Sequence, residues 1–199
     1  MRAAHFIPVV LVAIIPLSGT ATGQATRSSP TIRFAAGGAL TYGNLSGGDF
    51  SGSKGAAGFD VSAGVARGPL SLLLGYDRTN HGHDDASGDF VVSNIYVEPR
   101  FAFARSSARL TPYVAARLGR AMATFEGSPG FSQDASGYIV GLGGGILWPL
   151  RGAFSADGAV HLARESHDYS YDSPGGDYSS AEKGNRISLR VGIRWAPNK

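Results

Sequence analysis

Apolar and polar side chains alternate along most of the chain after residue 31. The clearest case lies near residue 190, where Ile187, Leu189 and Val191 alternate with polar and small residues. Successive side chains of a β-strand point to opposite faces, so a period of two predicts strands with one apolar and one polar face. The predicted strands are residues 32–42, 59–66, 70–77, 91–103, 110–119, 138–148, 154–162 and 186–195.

The connections between these segments alternate in length. Short turns are expected at residues 67–69, 105–108 and 149–152. Long polar loops are expected at residues 44–57, 80–88, 126–136 and 166–184. An even number of strands with short turns at one end and long loops at the other is typical of transmembrane β-barrels. We therefore predict an all-β fold, an eight-stranded antiparallel up-and-down transmembrane β-barrel.

The first 25 residues have the layout of a secretory signal peptide. Arg2 precedes an apolar stretch at residues 6–17, and small residues follow it. The alternative, a membrane anchor, requires about 20 apolar residues, and this stretch is too short. We expect residues 1–25 to be removed during export and residues 30–199 to form one outer-membrane barrel domain.

Composition narrows the expected partners. The chain contains 29 glycines and no cysteine, which suits strands and turns that need no disulfide. The net charge of +3 is small and no basic run is present, so no nucleic-acid partner is expected. No cofactor is expected either.

One face of the predicted strands carries charged residues among glycine, alanine and serine, whereas the other is uniformly large and apolar. An eight-stranded barrel has an interior just wide enough for side chains to fill. Buried charges need partners, and acids and bases occur together on the polar face. The predicted interior charge network consists of Arg33, Asp60, Glu98, Arg100, Arg117, Asp157, His161, Arg186, Arg190 and Arg194.

Aromatic residues on the apolar face gather at the two ends of the strands. Beside the long loops these are Tyr42, Phe59, Tyr76 and Tyr138, and beside the short turns they are Phe103, Trp148, Phe154 and Trp195. The strand between Tyr138 and Trp148 spans about 25 Å along the membrane normal at a tilt of about 40°. Two aromatic girdles with this spacing predict a bilayer. A soluble lipocalin-like barrel, with its apolar face inward, is the alternative.

Three runs, at residues 111–119, 141–145 and 191–195, together resemble the OmpA/OmpX-like family of small outer-membrane β-barrels. The resemblance implies an integral protein of the bacterial outer membrane, surrounded by outer-membrane lipid and lipopolysaccharide. It also implies insertion by the barrel insertion machinery, which in this family reads a final aromatic residue. Here four residues follow Trp195.

Two of the long loops carry candidate ligand residues. In the second, His81, His83, Asp84 and Asp85 have donor types suited to zinc, although a solvated loop tip is the simpler interpretation. In the fourth, acidic and aromatic residues suit partner recognition or calcium, or an ordinary surface loop. These residues are His167, Asp168, Tyr169, Tyr171, Asp172, Asp177 and Tyr178.

The leading functional hypothesis is a non-enzymatic integral outer-membrane protein with a structural or adhesive role through its long loops. An outer-membrane lipid-modifying enzyme is an alternative, but Ser155, Asp157 and His161 lie along one strand and cannot contact one another as a triad. Arg120 and Arg164 fall on the apolar face near the long loops, where they can contact lipopolysaccharide or snorkel to the headgroups. The surface ligand is not identifiable from the sequence.

Overall fold

The structure is a computed structural model that describes residues 31–47, 50, 53–82, 89–103, 109–126, 132–173 and 176–197. The predicted signal peptide, residues 1–25, lies outside the described residues. The strands are β1 (Arg33–Ser46), β2 (Ala56–Arg67), β3 (Leu70–His81), β4 (Asp89–Ala102), β5 (Thr111–Glu126), β6 (Ser132–Pro149), β7 (Phe154–Ser173) and β8 (Gly176–Trp195). No helix among the described residues is long and apolar enough to cross a bilayer.

Every strand pairs in antiparallel fashion with the next one along the chain, and β1 pairs with β8 to close the sheet. The predicted fold class, a closed eight-stranded up-and-down barrel, is confirmed. Closure gives both β1 and β8 a partner and so removes the free edges that an open sheet would present to lipid.

Burial alternates along the strands with the period that the sequence predicts. On β8, Leu189 and Val191 are 50% and 62% exposed, whereas Arg190 between them is 3% exposed. Along this strand the arginine side chains therefore point into the barrel and the apolar ones point outward. This arrangement overturns the lipocalin-like alternative, which requires the opposite orientation.

The strands extend further toward the long loops than predicted. β7 continues to Ser173 and β8 begins at Gly176, so the loop predicted at residues 166–184 is a β-hairpin instead. The predicted strand ends were wrong because they were placed where the alternation of apolar and polar residues stops. A β-ribbon outside the membrane needs no apolar face, so this alternation is lost there while the backbone pairing continues.

Glycines permit two local features of the barrel. Gly68 and Gly152 have φ angles of 58° and 64° at the short turns, a backbone region that other residues rarely adopt. Inside the barrel, a side chain at Gly75 would collide with the Tyr96 ring, and one at Gly145 would collide with the Tyr113 ring. The interior glycines thus provide space for large polar side chains.

Candidate functional site inside the barrel

Arg117 on β5 occupies the centre of the interior polar cluster. Its Nη1 donates to Asp77 Oδ2 at 2.8 Å, and its Nη2 donates to Glu98 Oε2 at 2.7 Å. A longer bond of 3.3 Å joins Nη2 to Asp60 Oδ2. The guanidinium also lies 3.7 Å from the centroid of the Tyr96 ring, a cation–π contact. This one side chain therefore ties β5 to β2, β3 and β4.

Two arginines of the closing strand extend the cluster toward the other side of the barrel. Arg186 Nη1 donates to Asp77 Oδ1 at 2.9 Å and to Glu165 Oε1 at 3.0 Å. Arg190 lies 3.4 Å from Asp157 and 3.5 Å from Asp60. β8 is thus held by ion pairs that cross the interior as well as by its two backbone ladders.

The short-turn side of the cluster is centred on Asp157. This carboxylate accepts a hydrogen bond from the Tyr113 hydroxyl at 2.6 Å and one from Arg100 Nη1 at 2.9 Å. Arg100 also donates to Glu98 at 2.6 Å. Arg194, nearer the strand end, donates to the Ser71 hydroxyl at 2.8 Å.

The buried charges of the described residues balance. The cationic side chains are Arg100, Arg117, Arg186, Arg190 and Arg194, and the anionic ones are Asp60, Asp77, Glu98, Asp157 and Glu165. An isolated charge would be very costly in such an interior, whereas a paired set with oriented hydrogen bonds is tolerated. His161 is also buried, with Nε2 3.5 Å from Glu98. Arg33 is half-buried near the start of β1.

Sequence reasoning missed several members of this cluster. Asp77 has the inward parity of its strand and could have been included on that ground. Glu165 and His167 lay beyond the predicted end of the seventh strand, yet both are buried and 3.4 Å apart. Both share the parity of His161, so following the alternation past residue 162 would have found them.

A second cluster inside the barrel, at the long-loop end, is apolar. It consists of Leu45, Phe50, Phe90, Val92, Ala123 and Ala135, and we call it the apolar layer. Phe50 belongs to the β1–β2 connection and turns back into the barrel mouth. Its ring lies 5.9 Å from Phe90 and 5.2 Å from His167. The interior is thus filled by charged side chains in the middle and apolar ones at this end.

The sequence placed His81 at a solvated loop tip, but the structure buries it beside the apolar layer. Its ring stacks on Phe90 at 4.9 Å, and its nitrogens lie 3.0 Å from Thr79 Oγ1 and 3.2 Å from the Lys54 carbonyl. His83, Asp84 and Asp85 are outside the described residues. Among the residues that are described, no three potential ligand side chains group around a common point.

The proposed catalytic residues of the alternative hypothesis are engaged elsewhere. Asp157 is bound by Tyr113 and Arg100, and His161 faces Glu98. Ser155 is half-buried near the start of the same strand. The structure brings Asp157 and His161 into the ion-pair cluster and does not bring the three side chains together.

Seven of the eight predicted girdle residues are exposed on the outer wall. Their exposed fractions are 39% or more, and they are Tyr42, Phe59, Tyr138, Phe103, Trp148, Phe154 and Trp195. Tyr76 is half-buried against Phe59, with ring centroids 6.0 Å apart. Between the girdles the wall is apolar, with Leu40 and Leu142 at 76% and 70% exposed. Such a surface is stable only when lipid covers it.

A closed barrel with a charged interior and an apolar outer band is an integral membrane protein of the outer-membrane type. No protein-family model and no curated protein sequence matches the chain. Solved structures do match its fold, and the three described below share 12–18% of their residues with this chain. Small outer-membrane barrels with eight strands are the common class among them.

Neisserial surface protein A superposes with a TM-score of 0.62 at 18% identity, over 81% of this chain and 96% of that protein. The outer membrane protein AlkL gives 0.55 at 12% identity, over 91% and 97%. A major outer membrane protein from Thermus thermophilus gives 0.53 at 14% identity, over 83% and 98%. At these identities the likeness establishes the fold and not a shared activity.

Proposed function

We propose that this protein is a non-conducting, non-enzymatic membrane anchor that presents the β7–β8 hairpin for surface recognition or adhesion. The observation that carries the proposal is the length of that hairpin. The β6–β7 ladder stops at Ser136 and Asp168, and the β8–β1 ladder stops at Asn185. The β7–β8 ladder continues to Ser173 and Gly176.

Beyond these points the two strands pair only with each other among the described residues. We call residues 169–173 and 176–184 the projecting ribbon. Five residues of β7 at about 3.3 Å each extend it by roughly 15 Å past the end of the β6 ladder. A two-stranded ribbon is marginally stable by itself. Here its base is held by the buried Arg186–Glu165 ion pair at 3.0 Å, which joins the two strands inside the barrel.

The composition of the ribbon suggests the chemistry of its partner. The ribbon contains the acidic residues Asp172, Asp177 and Glu182 and one basic residue, Lys183. A net negative charge favours a cationic partner, and tyrosine, which occurs here at positions 169, 171 and 178, is a residue type enriched in recognition surfaces. We therefore propose a positively charged surface or protein as the partner.

The filled interior favours an anchor over a channel. In the middle of the barrel, Arg190 on β8 lies 3.7 Å from Glu98 on β4, the strand directly across the interior, and Arg117 on β5 lies 3.3 Å from Asp60 on β2. Toward the long loops, the apolar layer disfavours water and ions. Planar-bilayer recordings test this part, and we expect no steady conductance. Stable single-channel openings by the purified protein would overturn it.

Adhesion tests the recognition role. Cells that display the wild-type protein should bind amine-coated beads better than carboxylate-coated beads. A variant with residues 169–180 replaced by Asn-Gly, a turn suited to a two-residue hairpin, should lose this preference. D172N/D177N should lose most of it with the ribbon intact.

The matched control is D134N/D168N, which removes two exposed aspartates from the wall below the ribbon. It should leave the preference unchanged. If the trimmed variant adheres like the wild type, the recognition role of the ribbon is wrong. If the control loses as much as D172N/D177N, overall charge explains adhesion and the assigned site is wrong. Lipid A incubated with the protein and analysed by mass spectrometry should keep all of its acyl chains.

A further inference from the structure

We propose that the short-turn mouth of the barrel interior is a carboxylate-binding site formed by Arg194, Ser71 and Ser155. The short turns of outer-membrane barrels face the periplasm, so the ligand comes from that compartment. The inference concerns the end of the barrel opposite to the projecting ribbon and does not depend on the function of the ribbon.

Among the buried arginines of the described residues, Arg194 is the one without a carboxylate partner. Each of the other four pairs with at least two carboxylates. Arg194 instead donates from Nη2 to the Ser71 hydroxyl at 2.8 Å, and its Nε–H has no partner within the described ranges. Its exposed fraction is 8%, so little water solvates the charge. An uncompensated charge in a barrel interior is costly, and a bound anion would lower that cost.

The buried charges of the interior balance in number but not in position. Along the β7–β8 ladder the nearest carboxylate to Arg194 is Asp157, which lies two residues further from the mouth than Ser155, the ladder partner of Arg194. Asp157 is already paired with Arg100 and Arg190. The level of Arg194 therefore carries a positive charge without an anion of its own in the described part of the chain.

The sequence around the short turns contains no acidic residue. Residues 61–76, 99–125 and 135–156, which contain the three short turns and the adjoining strand ends, have no aspartate or glutamate. Residues 183–199, which include most of the barrel-spanning part of β8, have none either. A ligand for Arg194 therefore meets no competing acidic side chain from the turns.

The side chains beside Arg194 supply hydrogen-bond donors. Ser155 is paired directly with Arg194, and residues paired in this way share one face of the sheet. Ser71 lies on β3, three strands away from β8 around the barrel, so the Arg194 side chain extends across the mouth to reach it. The Ser71 hydroxyl accepts a bond from Arg194 and keeps its own proton for donation. One guanidinium N–H and two hydroxyls thus border the mouth.

The size and the charge of this site select a carboxylate. An eight-stranded barrel is just wide enough for side chains, so a small planar group fits there better than a bulky one. A carboxylate carries a single negative charge, which matches the single uncompensated arginine. A phosphate group carries more charge at neutral pH, and the surplus would be buried without a partner. A free small acid and the C-terminal end of a peptide both supply a carboxylate.

The test is a titration of the isotope-labelled protein in dodecyl maltoside micelles, which contain no anionic group. The probes are acetate, N-acetyl-trialanine and the amide of the same peptide, and the backbone amide signals at positions 71, 155 and 194 report binding. We expect saturable shifts with acetate and with the peptide acid, and none with the peptide amide. Tighter binding of the peptide acid than of acetate assigns the site to a peptide terminus, and equal binding assigns it to a free acid.

Three variants locate the site. R194Q should weaken acetate binding roughly tenfold or more, because hydrogen bonds between charged groups are lost. S71A/S155A keeps the charge and should weaken binding by roughly threefold to tenfold, because neutral donors are lost. The matched control is R109Q/R151Q, which removes two exposed arginines at the short-turn end and should bind acetate like the wild type. The different migration of boiled and unboiled samples on a gel verifies folding.

Wild-type affinity in R194Q would overturn the proposal, and so would equal binding of the peptide acid and its amide. An equal loss in R109Q/R151Q would also overturn it, because net charge alone would then explain binding. If R194Q does not fold, S71A/S155A decides, and unchanged acetate binding by that variant would overturn the site. All of these variants keep the projecting ribbon, so loss of carboxylate binding with normal adhesion concerns the mouth alone.

Discussion

The barrel interior is filled in two different ways at two levels. In the middle, Arg117 is surrounded by carboxylates from three strands. At the long-loop end, Phe50 and Phe90 pack with small apolar side chains. Apart from Phe50, which lies in the β1–β2 connection, both levels are built from inward-facing side chains of the strands. The stability of the charged level depends on the presence of every ion-pair partner. The stability of the apolar layer depends on filled volume, so an apolar substitution of similar size is tolerated there.

The largest effect should come from Arg117→Met. Three carboxylates would lose their shared cation while remaining buried, which should lower the free energy of unfolding by about 3–5 kcal/mol. Denaturant titration in lipid vesicles, with folding read by gel migration, measures it. Arg120→Met on the same strand, with its side chain outside, is the control and should change the free energy of unfolding by less than about 1 kcal/mol. Equal effects would mean that the network is not stabilising.

Phe50→Ala should have the next largest effect. Removing a buried aromatic ring leaves a cavity against Phe90 and His167, at a cost of about 3 kcal/mol. Phe50→Leu retains most of the apolar volume and should cost less than about 1.5 kcal/mol. The same unfolding titration applies. If the leucine variant were as unstable as the alanine variant, the apolar layer would be as dependent on specific partners as the charged level.

A smaller effect is expected from Tyr113→Phe. The hydroxyl donates to Asp157 and accepts from Arg190 Nη2 at 3.1 Å, so its loss leaves two charged groups short of one bond each. We expect a cost of about 1–2 kcal/mol. Tyr76→Phe removes a hydroxyl that donates to Ser93 Oγ at 3.2 Å on the outer wall. Tyr76→Phe should therefore lower the free energy of unfolding clearly less than Tyr113→Phe does. A larger loss in Tyr76→Phe would contradict a stabilising role of the interior network.

Much of the charged level was predictable, because parity determines which side chains point inward. Asp60, Glu98 and Arg117 all lie on polar faces of strongly alternating segments. The apolar layer was not predictable in the same way. Phe90 and Val92 lie on the inward face of β4, where the alternating pattern predicts polar residues, so the pattern gave no reason to expect an apolar cluster there. Phe50 lies in a connection, where no periodicity indicates its direction.

The projecting ribbon shows a second limit. An amphipathic strand is recognisable because one of its faces meets lipid, and this signal ends where the membrane ends. Residues 166–184 therefore had the appearance of a polar loop. The backbone ladder that joins Ser166 to Lys183 and continues to the tip uses main-chain hydrogen bonds, which leave little trace in side-chain type.

The amino-acid sequence by itself determined the number of strands, their up-and-down order and the face of each strand that meets lipid, because these follow from a local period of two. Only the tertiary structure decided which charges pair. The partners of Arg117 lie 19, 40 and 57 residues away along the chain, and their meeting depends on the register of several ladders. Local patterns do not encode register, because it is set jointly by strand tilt, turn geometry and closure of the sheet.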